Sequence, residues 1–108
     1  MRSLFTLVFA LCLVACAKPV PPEKASYVGF WRAPPMSLLI TQDGSVKYER
    51  IEGGVTKSVS GPLKGFNGDN FDVGLGPLST TFVVAAPPHQ DGESVKMTVD
   101  GIELTKGQ

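Results

Sequence analysis

Met36-Ser-Leu-Leu-Ile-Thr-Gln-Asp-Gly-Ser-Val-Lys-Tyr-Glu-Arg-Ile51 decides the fold of this chain. Met36, Leu38 and Ile40 alternate with smaller or polar residues, so a strand here carries them on one face. Gln42-Asp43-Gly44 follows, and Asp and Gly accept the tight backbone angles of a hairpin turn. The return run puts Val46 and Tyr48 on one face and Lys47 and Glu49 on the other. Two alternating runs joined by such a turn predict an antiparallel hairpin with one buried face.

The same grammar continues outward. Glu52-Gly53-Gly54 turns, and Val55 to Ser60 alternates again until Gly61-Pro62 is expected to break it. Leu63 to Phe66 reads as a short strand, Asn67-Gly68-Asp69 as a turn, and Asn70 to Gly74 as a strand with Phe71 and Val73 in phase. Gly74 to Pro77 turns. Leu78 to Ala85 is the longest β-run, with Leu78, Thr80, Phe82 and Val84 in phase, and Pro87-Pro88 is expected to stop it. After a loop at Gln90-Asp91-Gly92, Ser94 to Val99 aligns Val95, Met97 and Val99. Asp100-Gly101 then turns into Ile102 to Thr105. No window beyond Cys16 sustains a helical period. The expectation is an all-β domain: an antiparallel meander of about eight short strands, closed into a small β-barrel or a strongly curled sheet. A two-sheet sandwich is the alternative.

The amino terminus has a different character. Met1-Arg2-Ser3 is short and basic, and Leu4 to Val14 is almost wholly apolar. That run of about 11 residues is short of the ~20 needed to span a bilayer. It fits the helical core of a cleaved export signal. Leu13-Val14-Ala15-Cys16 follows and resembles the lipobox of bacterial lipoproteins. The resemblance implies cleavage between Ala15 and Cys16, a diacylglyceryl thioether on Cys16, and acylation (palmitate-type) of its freed amine. An ordinary secretory signal, cleaved after Ala15 or Ala17, is the competing reading. The expected divisions are a signal at 1–15, a lipidated cysteine and Pro-rich tether at 16–25, and the β-domain at 26–108. Pro19, Pro21 and Pro22 favour an extended spacer of roughly 25–30 Å. With Ala17 and no Asp after the cysteine, the resemblance implies an outer-membrane address facing the periplasm.

Composition narrows the partners. The chain has two cysteines. Cys12 leaves with the signal and Cys16 carries lipid, so the mature domain is expected to lack disulfides and cysteine metal sites. Formal net charge is zero, which suggests no nucleic-acid surface. The expected partners are the membrane, through the lipid on Cys16, and another envelope protein.

Tyr27-Val-Gly-Phe-Trp31 before the first hairpin resembles the opening of lipocalin-like barrels, where a tryptophan closes the barrel base. The segment Gly61 to Gly76 with Thr80 to Val84 resembles small envelope lipoproteins of unassigned function. Trp31, Phe66 and Phe71 are candidates for ligand or partner contact, weighed against core packing. His89 is the sole histidine and stands in a Pro-Pro loop without an evident catalytic partner. Asp69, Asp72, Asp91, Glu93 and Asp100 lack the spacing of a calcium loop. No catalytic residue, metal site or cofactor is assigned. The expected function is a lipid-anchored, non-catalytic interaction or structural module; the alternative is a lipocalin-like carrier of a small apolar ligand.

Overall fold

In the computed structural model, which describes residues 18–75 and 77–107, alternating runs and tight turns build an all-β domain. Its strands are β1 (Gly29–Ala33), β2 (Met36–Ile40), β3 (Ser45–Glu52), β4 (Val55–Asn67), β5 (Asn70–Leu75), β6 (Leu78–Phe82), β7 (Val84–Asp91), β8 (Ser94–Val99) and β9 (Ile102–Lys106). They form one nine-stranded antiparallel sheet in the order β6-β5-β4-β3-β2-β1-β9-β8-β7. Because β1 pairs with β9, the sheet's two edges are β6 and β7, which are consecutive in the chain and joined through Val83 alone. The sheet therefore curls toward a barrel whose seam lies at Val83. The expected export signal, the lipobox-like run and Cys16 lie outside the described residues.

The first hairpin pairs in the register its alternation demands, with Leu38 opposite Tyr48 and Ile40 opposite Val46. At its turn the Thr41 hydroxyl donates to Asp43 and holds that carboxyl below the usual carboxylate range. Inward residues from the strands meet in one core that includes Trp31, Leu38, Ile40, Leu63, Phe71, Phe82, Met97 and Leu104, all essentially closed to solvent. Phe71 stacks on Phe82 with ring centroids 5.1 Å apart, and Tyr48 meets Phe82 edge-on at 5.0 Å. Each such side chain contributes about 1.5–3 kcal/mol by leaving water.

Two strand breaks expected at prolines do not occur. Gly61-Pro62 lies inside β4, because β4 changes partner there. It pairs with β3 up to Pro62 and with β5 from Leu63 onward, around a bulge between Leu63 and Gly65. A residue without an N–H is tolerated at that handover, where one ladder ends and the next begins. Pro87 and Pro88 lie inside β7, an edge strand whose pairing with β8 shifts register between Ala86 and His89. The long run from Leu78 is divided at Val83 instead. There the chain leaves β5 for β8.

The segment expected to be a free spacer is docked. The Val20 N–H donates to the Gln42 carbonyl at 3.0 Å, and Gln42 Nε2 donates back to the Val20 carbonyl at 2.8 Å. Val20 itself is buried. The Lys18 N–H reaches the Leu63 carbonyl at 3.3 Å. Pro22–Tyr27 then forms a 3-10 helix, with proline in the first turn where an N–H has no helical partner. Lys18 to Tyr27 is thus packed onto the β-domain. The strap runs across one end of the curl, from the β2–β3 turn to the β4–β5 turn, where the Tyr27 hydroxyl donates to the Asp69 carbonyl at 2.9 Å.

Candidate binding surface

The three aromatics singled out from sequence lie in or against the core. Trp31 is fully buried on β1, its Nε1–H donates to the Tyr27 carbonyl at 2.9 Å, and Lys106 Nζ sits 5.0 Å from its ring centre. That lysine also donates to the Ser26 carbonyl at 3.1 Å, so β9 and the strap close over the tryptophan together. Phe71 is fully buried. Phe66 pairs directly with Phe71 across the β4–β5 hairpin and is half-buried beneath Tyr27, whose ring meets it edge-on at 5.1 Å. Lys24 covers the pair, with its ammonium 5.4 Å from the Phe66 ring centre and bonded to the Gly68 carbonyl. Trp31 and Phe71, candidates for ligand or partner contact, thus lie within the core and do not reach the surface. Burial, with the Asp69 carboxylate second, pushes the Tyr27 hydroxyl up to about 12.

The polar candidates are scattered. His89 is exposed on β7, and its Nδ1 donates to the Pro87 carbonyl at 2.8 Å. Asp69 pairs with Lys24 at 3.7 Å, Asp91 with Lys96 at 3.8 Å, and Asp72 accepts from the Thr81 hydroxyl at 2.5 Å. Asp100 is committed to the seam at Val83. Among the described residues, no three His, Cys, Asp or Glu side chains converge to hold a metal ion.

The surface feature that stands out lies where β5–β6 approach the middle of β4. Register places Val73 opposite Thr80, and Phe71 opposite Phe82. By alternation Leu78, Thr80 and Phe82 share the core-facing side of β6. Phe82 is buried, yet Leu78 is 79% exposed. The core-facing side therefore runs out of the core into an open groove of about 390 Å3, lined by Val59, Gly61, Val73, Leu78 and Thr80, with Ser60 and Ser79 beside them. Two glycines shape it. Gly61 contributes no side chain, and Gly74 adopts φ +146°, where a Cβ would lie 2.1 Å from the Leu78 carbonyl oxygen. On one flank β6 is a sheet edge, so part of its backbone has no strand partner. The groove offers apolar contact and an open strand edge, a combination suited to binding.

Leu78 shares its phase along the strand with buried Phe82, yet it stands outside the core. The local signal for that exposure is its setting, with Pro77 before it and Ser79, Thr80 and Thr81 after it. Compared with protein-family models, with curated proteins and with solved structures, the chain finds no match.

Proposed function

We propose that this chain is a lipid-anchored lipoprotein of the bacterial cell envelope, held by Cys16 on the outer membrane and facing the periplasm, whose β-domain is a non-catalytic protein-interaction module. The address rests on the basic start, the apolar run and Leu13-Val14-Ala15-Cys16. The observation that carries the binding role is Leu78: a large apolar side chain, 79% exposed, on the core-facing side of an edge strand and beside an apolar groove. Exposed apolar surface of this kind marks interaction sites. The interior supports a module over a carrier, because the inward positions are filled by large side chains such as Trp31, Phe71, Phe82 and Met97. A small apolar ligand would have to use the open groove.

The test is a photo-crosslinking amino acid placed at Leu78 and, as a control, at exposed Glu103 on β9, in cells with native membranes. The expected result is a discrete protein adduct from position 78 and none from position 103. Equal patterns at both, or no protein adduct at 78, would remove the binding role.

A further inference from the structure

We propose that the mature domain sits directly on the bilayer, with the Lys18–Val20 strap and the β2–β3 turn against the lipid headgroups. This inference rests on the lipid-anchor reading of Cys16 and goes beyond it by fixing how the domain faces the membrane.

The reason is reach. A lipidated Cys16 holds its backbone at the boundary between acyl chains and headgroups. Lys18, two residues on, is bonded to the Leu63 carbonyl. Consecutive Cα atoms are 3.8 Å apart, so Cys16 and Lys18 are separated by at most about 8 Å. The single bond at Lys18 is long, but opening it frees little. Val20 is buried and doubly bonded to Gln42, and four residues span at most about 14 Å. One headgroup layer is roughly 5–8 Å thick. A spacer of 25–30 Å would lift the domain far beyond that layer, whereas the tether left after docking holds Lys18 no further out than about its outer edge. The strap is also fitted to its turn. Gly44 has φ +93°, and a Cβ there would lie 2.1 Å from the Lys18 carbonyl oxygen, so only glycine lets the strap lie down at this point.

The far pole follows from strand geometry. β3 begins beside the pinned turn at Ser45 and ends at Glu52, before the Gly53-Gly54 turn. At about 3.3 Å per residue, these ends are roughly 23 Å apart. The β3–β4 tip, with exposed Ile51 and Val55, is thereby the part of this hairpin presented away from the membrane.

The experiment uses the full lipidated protein in phosphatidylethanolamine–phosphatidylglycerol vesicles that carry a nickel-chelating lipid. Pro19→Cys and Thr56→Cys each supply the sole free thiol for a nitroxide, because both positions are exposed and Cys16 is a thioether. Intact mass first establishes the lipid on Cys16. The expected result is several-fold stronger relaxation by headgroup nickel at position 19 than at 56. Inserting a Gly/Ser linker of about ten residues between Ala17 and Lys18 should remove the difference, since such a linker adds about 17 Å of reach. Equal relaxation at 19 and 56 in lipidated protein overturns the inference and leaves the anchor standing. A difference that survives the linker also overturns it, because the short tether would then not be the cause. Mass showing no lipid overturns the anchor reading and this inference with it.

Discussion

Val83 and Asp100 exchange two hydrogen bonds: the Val83 N–H donates to Asp100 Oδ1 at 2.9 Å, and the Asp100 N–H donates to the Val83 carbonyl at 2.8 Å. Val83 is the one residue between the two edge strands, and Asp100 sits in the β8–β9 turn with a left-handed φ of +49°. The Val84 N–H next door is taken by Asn70 Oδ1 at 2.8 Å. Side chains thus satisfy the backbone where the ladder hands over from β5 to β8.

Removing that carboxylate should open the seam. Asp100→Ala loses a hydrogen bond to a charged acceptor and places alanine at a left-handed position, a cost of about 2–3 kcal/mol. Asp100→Asn keeps an acceptor and tolerates the angle, so it should lose under about 1 kcal/mol. Urea unfolding reads both as shifts in midpoint at constant slope.

Trp31 is the only tryptophan in the chain and is fully buried. Its emission should be blue-shifted in the folded protein and move to the red in one step on unfolding. Trp31→Ala should cost about 3–5 kcal/mol, a large share of the 5–15 kcal/mol typical of a whole domain. Circular dichroism of that variant should show a largely unfolded chain at moderate temperature.

Tyr27 makes the domain sensitive to high pH. Its hydroxyl is pushed up from 10.0 to about 12, chiefly by burial. Between those values the unfolded chain has released the proton and the folded chain has kept it. Stability is therefore complete below about pH 10 and falls as pH rises toward 12, by up to roughly 3 kcal/mol. Tyr27→Phe should be less stable at neutral pH, having lost the bond to Asp69, but should lose the pH 10–12 decline attributed to this residue. Denaturant midpoints measured across that range check the sign.

Gly44→Val should lift the strap. The valine meets the Lys18 carbonyl and a strained backbone angle, at a cost of roughly 1–3 kcal/mol. The local signature is faster hydrogen exchange at the Val20 amide than in the wild type, with protection of β8 and β9 amides retained. Unchanged protection at Val20 would contradict the docked strap.

What the sequence makes legible is what depends on neighbours along the chain. The β2–β3 hairpin, the Asp100-Gly101 turn and the Phe66–Phe71 pair follow from alternation and turn chemistry, and all appear in the structure. β4 as one strand of 13 residues does not follow, because Gly61-Pro62 is admissible only where β3 hands over to β5. Pro87 and Pro88 fit a strand only because β7 is an edge. Val20 reads as part of a proline spacer until Gln42, 22 residues away, bonds to it from both sides. The groove was hidden for the same reason: Leu78 has the phase of a core residue, and only the meeting of β5–β6 with β4 leaves it outside.

The proposed anchoring of this domain through Cys16 has a direct test. Cells are fed an alkyne fatty acid, and the wild-type protein and Cys16→Ser are recovered from membranes for labelling and intact mass. The wild type should be labelled and have the mass of a chain beginning at an acylated Cys16, while Cys16→Ser should accumulate as unlabelled precursor. A labelled Cys16→Ser protein, or a wild-type chain that begins at Lys18 without lipid, would contradict it.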